Sequence, residues 1–117
     1  MKLLIVDDNA AVRRMLKSIV GNLAEEVYEC TDGVEALAAY LAWHPRVVLM
    51  DIAMGQLDGI AATKQIMKAD PTAKVIIVTN YDEVDLREAA QQAGACGYVL
   101  KENMFEVRRL LQSAGST

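Results

Sequence analysis

The chain has 117 residues, 53% of them hydrophobic but only 5% aromatic, and a formal net charge of −4. That length suits one domain with an aliphatic, alanine-rich core, burying roughly 65% of the surface its unfolded form exposes. No basic face is offered to phosphates, which excludes nucleic-acid binding by this chain alone, and no apolar run approaches the ~20 residues of a membrane span.

The run Leu3-Leu4-Ile5-Val6 predicts a strand over 2–6 and ends at Asp7 and Asp8. Those charges cut the run too short for a targeting peptide. A helix over 9–21 follows, with an apolar stripe at Val12, Met15, Leu16, Ile19 and Val20 and a stop near Gly21. The next strand, 26–30, is mixed in character (Val27-Tyr28-Glu29-Cys30), as expected at a sheet edge. Asp32 with Glu35 then opens a helix over 33–43, and its Trp43 is expected at the far end of the sheet from the strand termini.

Val47-Val48-Leu49-Met50 predicts a strand over 47–50 that meets Asp51. A helix over 58–69 stops before Asp70-Pro71, because proline disfavours helical geometry in the residue before it. Val75-Ile76-Ile77-Val78 predicts a strand over 75–79, ending on Thr79. The helix over 82–93, with Asp82 and Asp85 at its start, has only Val84 and Leu86 as large apolar groups beside Ala89, Ala90 and Ala93. Alanine buries little area, so this helix is expected to be weakly anchored and to move; alanine's helix propensity accounts equally well for the composition. Tyr98-Val99-Leu100 completes a strand over 97–100 that meets Lys101, and Asn103 with Glu106 starts a last helix over 103–113.

Five alternations of strand and helix imply right-handed crossovers and a doubly wound α/β sandwich with a five-stranded parallel sheet and five helices. Cys30 and Cys96 fall at ends of strands on opposite edges, too far apart to bridge, and a reduced, cytoplasmic protein is expected. The clusters Arg13, Arg14, Lys17 and Arg108, Arg109 read as solvated helix faces.

Ligands of such folds bind outside the carboxyl ends of the strands. Asp7, Asp8, Asp51, Thr79 and Lys101 all lie there, three carboxylates with one hydroxyl and one ammonium. Two carboxylates ~4 Å apart repel by about 4 kcal/mol at an effective dielectric of 20, so one ammonium leaves negative charge to be offset. A hard divalent cation such as magnesium suits these oxygen donors. Asp51 is the candidate nucleophile toward phosphorus, giving an acyl phosphate, with the cation, Lys101 and Thr79 stabilising the phosphoryl oxygens.

Leu4-Ile5-Val6-Asp7-Asp8, Asp51-Ile52-Ala53-Met54 with Asp58-Gly59, Thr79, and Gly97-Tyr98-Val99-Leu100-Lys101 together resemble the receiver domain of two-component response regulators. The resemblance covers essentially the whole chain, so 1–117 reads as a single receiver domain with no output domain. It implies a flavodoxin-like strand order 2-1-3-4-5. It implies that Asp51 accepts a phosphoryl group from a histidine kinase or a small phosphodonor, as a switch and not as a turnover enzyme. It further implies that Asp8, Asp51 and the backbone carbonyl of Ala53 bind Mg2+, with Asp7 acting through a metal-bound water. Thr79 and Tyr98 are then the switch residues, and the face of the fourth helix, last strand and fifth helix rearranges.

The segment Thr79-Asn80-Tyr81-Asp82-Glu83 is most similar to the NarL/FixJ (LuxR-type) subfamily, which implies a transcriptional output. Ala114-Gly115-Ser116-Thr117 resembles the start of a linker. A homodimer is expected through the first and fifth helices or through the rearranging face. The runner-up reading is a degenerate receiver acting as a phosphorylation-independent interaction module. An aspartate-nucleophile phosphatase needs a general acid two residues after Asp51, where Ala53 stands. Three positions depart from the family pattern. Gly55 replaces the usual proline and is expected to loosen the loop carrying Ala53. Glu102 replaces a proline after Lys101, so a trans bond is expected there. Asn80 is larger than the usual residue, and Ala53 and Tyr81 flank the approach of a hydrolytic water.

Overall fold

A computed structural model describes residues 1–55 and 57–115. The strands are β1 (Lys2–Val6), β2 (Glu26–Cys30), β3 (Val47–Met50), β4 (Val75–Thr79) and β5 (Gly97–Leu100). The helices are α1 (Ala10–Val20), α2 (Gly33–Trp43), α3 (Gly59–Ala69), α4 (Val84–Gln92) and α5 (Glu106–Gly115), with 3-10 turns at Gly21–Leu23 and Lys101–Asn103. All strand pairs are parallel, in the order β2-β1-β3-β4-β5. The alternation of elements predicts a doubly wound sheet, and the order is the flavodoxin-like one that the family resemblance implies.

The uninterrupted apolar strands follow from burial on both faces. Leu4, Val6, Val48, Met50, Val75 and Ile77 pack toward α2, α3 and α4, against Ala36, Tyr40, Ala62, Ile66 and Ala90. Their neighbours Leu3, Ile5, Val47, Leu49, Ile76 and Val78 pack toward α1 and α5, against Leu16, Val20, Val107 and Leu111. Each fully buried Leu or Ile contributes roughly 1.5–3 kcal/mol relative to exposure. Among the described residues no helix is long and apolar enough to cross a membrane.

Several local expectations need correction. Met15 is 53% exposed, because Leu16 and Val20, with partly buried Val12 and Ile19, are the α1 residues packed on this face of the sheet and Met15 is turned away from it. Asp82 does not cap α4: the helix starts at Val84 behind Glu83, with no side-chain cap, and Asp82 accepts from Arg87 Nε at 2.6 Å. Asn103 does not cap α5 but lies in the preceding 3-10 turn. Val84 is 66% exposed and Ala90 is the one α4 residue fully buried, so little apolar surface anchors this helix.

The cationic clusters are not merely solvated. Arg108 Nη1 donates to the carbonyls of Ile19 and Val20, both at 3.0 Å, closing the end of α1 where Gly21 turns at φ +54°. Arg13 is bound to the Asp7 carbonyl just past β1 and to Glu29 on β2. Trp43 stacks on Tyr28 with ring centroids 4.3 Å apart, close to the start of β3 and away from the strand termini. Cys30 is buried, Cys96 exposed, and both are free thiols. No described peptide bond is cis, including Lys101–Glu102. Ser116 and Thr117 of the expected linker lie outside the described residues, and Ala114 and Gly115 belong to α5.

Candidate functional site

Register brings the acidic residues together. Val6 pairs with Met50, so Asp7 and Asp51 stand one step past a common row on adjacent strands. The ladder continues through them: Asp7 N–H donates to the Cys30 carbonyl at 3.1 Å, and Asp51 N–H to the Val6 carbonyl at 2.9 Å. One carboxylate oxygen from each of Asp7, Asp8 and Asp51 lies within 4.8 Å of the others. Asp7 and Asp51 are buried and Asp8 is exposed, so the cluster is open to solvent on the Asp8 side.

Lys101, with a side chain 13% exposed, brings Nζ to 3.0 Å from Asp7 Oδ2 and 3.5 Å from Asp51 Oδ1. That ammonium is shared between two buried carboxylates. Asp7 Oδ2 faces that ammonium, and Asp7 Oδ1 accepts from Asn9 N–H at 2.8 Å. Burial, then the neighbouring Asp7 charge, push the Asp51 carboxyl up to about 6, against the opposing pull of Lys101. One ammonium therefore does not neutralise this group of carboxylates. Three hard carboxylate oxygens within 4.8 Å of one another, with one ammonium to offset them, fit a small divalent cation.

The remaining elements bring up the rest of the site. Thr79 is buried at the end of β4, and its Oγ1 accepts from Tyr81 N–H at 3.3 Å, which leaves the hydroxyl proton to donate. Ala53 lies on the exposed stretch between β3 and α3. That stretch is tied at both flanks. Gly59 opens α3 so close to the strand that an added Cβ would fall 1.8 Å from the Asp51 carbonyl oxygen. Asp32 caps α2 through Val34 N–H and also accepts from Leu57 N–H at 3.3 Å. Its Oδ2 sits 2.6 Å from where a Cβ on Gly55 would stand. Asp32 thus ties this stretch to the start of α2 at Leu57 and fills the space a side chain at Gly55 would need.

Tyr98 is held at the surface. Its hydroxyl donates to the Tyr81 carbonyl at 2.6 Å, and the Arg87 guanidinium lies 4.5 Å from its ring centroid. Arg87 and Tyr98 border two open cavities of about 350 and 490 Å³ along α4 and β5, away from the carboxylates. Sequence reasoning missed Asp32, Arg13 and Arg87 as neighbours of the candidate residues. For Arg13 the signal was a cation six positions after Asp7, one turn into the helix. For Arg87 no local signal exists, since its partner Tyr98 is brought near only by the β4–β5 pairing.

Comparison with known proteins gives one consistent picture. The family model described as response regulator receiver domain matches residues 3–114. The chain is 39% identical to the chemotaxis protein CheY of Thermotoga maritima, over 96% of this chain and 92% of that protein. It is 38% identical to the regulatory protein AtoC of Escherichia coli over 97% of this chain but only 25% of AtoC, so a matching unit also occurs within a much longer protein. Among solved structures, the CheX-CheY-BeF3-Mg+2 complex from Borrelia burgdorferi matches at TM-score 0.91 and 26% identity, covering 100% of this chain and 90% of that one. A LuxR-family two-component response regulator from Aurantimonas matches at TM-score 0.88 and 28% identity, covering 96% and 82%.

Proposed function

The chain belongs to the response regulator receiver domain family, and from that premise we propose that it is a phosphorylation-activated signalling switch with Asp51 as its phosphoacceptor. An Asp51 carboxylate oxygen attacks phosphorus, forming the P–O bond of an acyl phosphate as the bond to the donor breaks. The leaving group is the histidine of a kinase or the anion of a small phosphodonor. The observation that carries this reading is the convergence of the Asp7, Asp8 and Asp51 oxygens within 4.8 Å, with Lys101 Nζ beside two of them.

Each residue then has a role that its position supports. Asp8, Asp51 and the Ala53 carbonyl would hold Mg2+, and Asp7 would act on it through a water. When bound, Mg2+ supplies positive charge for the phosphoryl oxygens, the most general requirement of phosphoryl transfer. Lys101 pairs with a phosphoryl oxygen, and the Thr79 hydroxyl donates to another. Thr79 and Tyr98 are the switch residues. A shift of Thr79 draws on Tyr81, which both Thr79 and Tyr98 already contact. Because α4 is anchored by little apolar surface, the face of α4, β5 and α5 is the part free to rearrange.

The partner is a histidine kinase, which sets a cytoplasmic location, and self-association uses either α1 with α5 or the α4, β5 and α5 face. Transcription is the output we favour, on the LuxR-family likeness. A motility output is the second reading, supported by CheY proteins that the chain matches over 92% or more of their length.

The test is intact-protein mass after acetyl phosphate with Mg2+, beside Asp51→Asn. One added phosphoryl group, absent without Mg2+ and absent in the variant, is expected. No added mass, together with no response to beryllofluoride, would make the chain a phosphorylation-independent interaction module.

A further inference from the structure

Arg13 projects from α1 back to the end of β1 with its side chain only 17% exposed. Its Nη1 donates to the Asp7 main-chain carbonyl at 2.7 Å, and its Nε donates to Glu29 Oε1 on β2 at 2.9 Å. Glu29 is itself steadied by Lys17 Nζ at 3.1 Å. The planar guanidinium fork thus spans two strands at once, a geometry that a lysine ammonium does not reproduce.

The carbonyl that Arg13 holds belongs to the peptide joining Asp7 to Asp8. Asp7 is fixed independently, by its ladder bond to Cys30 and by Asn9 on its Oδ1. Asp8 is exposed, and among the described residues no partner holds its carboxylate. The plane of the Asp7–Asp8 peptide bears on where the Asp8 carboxylate starts from, and Arg13 is bonded to the carbonyl of that peptide. We propose that Arg13 is a positioning residue for the cation site: it holds Asp8 against Asp7 and Asp51 in the metal-free protein. This rests on the reading of the acidic cluster as a Mg2+ site.

Charge and position predict opposite signs, which makes the role separable from a general one. A guanidinium near a divalent cation repels it, so loss of charge alone tightens Mg2+ binding. Loss of positioning weakens it, as removal of groups that orient metal ligands does by about tenfold or more. A purely structural residue lowers stability and leaves affinity alone.

The experiment is calorimetric Mg2+ titration of wild type, Arg13→Ala, Arg13→Lys and Glu29→Gln, with urea unfolding of each in the metal-free state. Glu29→Gln removes the ion pair but leaves the bond to the Asp7 carbonyl. Expected are Mg2+ binding weakened about fivefold or more in Arg13→Ala, weakened also in Arg13→Lys, and within about twofold of wild type in Glu29→Gln. Unchanged or tighter binding in Arg13→Ala, or equal weakening in Glu29→Gln, overturns the role of Arg13 alone. If Arg13→Ala does not fold, Arg13→Lys carries the test, and wild-type affinity in it overturns the proposal. A wild type that binds no Mg2+ overturns the cation reading and this role with it.

Discussion

Lys101 Nζ stands 3.0 Å from Asp7 Oδ2 and 3.5 Å from Asp51 Oδ1, so among the described residues one ammonium serves two buried carboxylates. One cation shared between two buried carboxylates leaves their mutual repulsion partly unopposed. The site is thus destabilised by its own chemistry in the metal-free state. Four outcomes follow from that and from the contacts around it.

Asp8→Asn removes one of the three negative charges while keeping the shape of the side chain. Because Asp8 is exposed, solvent screens most of the repulsion, and the gain in metal-free stability is small, up to ~1 kcal/mol. Urea unfolding without Mg2+ checks it, and a lower midpoint than wild type would count against crowding of the carboxylates.

Asp51 makes stability depend on pH. Its carboxyl is raised from 3.8 to about 6 by burial first and Asp7 second. Between those values the folded state holds a proton that the unfolded state releases, so this contribution grows as pH falls through 6 and is lost as pH rises through it. The stability difference between wild type and Asp51→Asn should shift toward wild type by roughly 2–3 kcal/mol from pH 7 to pH 4. Paired metal-free unfolding curves at several pH values read it; a flat difference would show that burial does not perturb this carboxyl.

Gly59→Ala places a Cβ 1.8 Å from the Asp51 carbonyl oxygen, a backbone atom with no freedom to yield cheaply. The start of α3 or the end of β3 must move, at a cost of about 3 kcal/mol or more. The expected readouts are a lower unfolding midpoint and loss of acetyl-phosphate labelling at Asp51. Wild-type labelling in this variant would mean that the approach of α3 to the strand end is not needed.

Arg108→Ala removes the donor to the last two α1 carbonyls, at Ile19 and Val20. Two charge-assisted bonds at a helix terminus are lost, so stability falls by about 1–3 kcal/mol. Mg2+ affinity should not change, because the contact lies at the far end of α1 from Asn9. A change in affinity without a change in stability would contradict this division of roles.

The strands were legible because they are buried on both faces: each run from Leu3 to Val6, Val47 to Met50 and Val75 to Val78 is apolar without a break and ends at a polar residue. Helix starts were read less well. Asp82 and Asn103 look like caps, yet α4 and α5 begin behind them, since Asp82 pairs with Arg87 and Asn103 is taken into a 3-10 turn.

What the amino-acid order determined by itself was the set of polar residues at the strand ends, because a parallel sheet delivers every carboxyl end to one edge whatever the packing. What only the tertiary structure decided was how they meet. The register of β1 with β3 sets Asp7 beside Asp51, Lys101 comes in to share its ammonium between them, and Arg13 reaches back to the Asp7 carbonyl just past β1. Those relations depend on distances between elements far apart in the chain, and such distances are set by side-chain packing that no local pattern encodes.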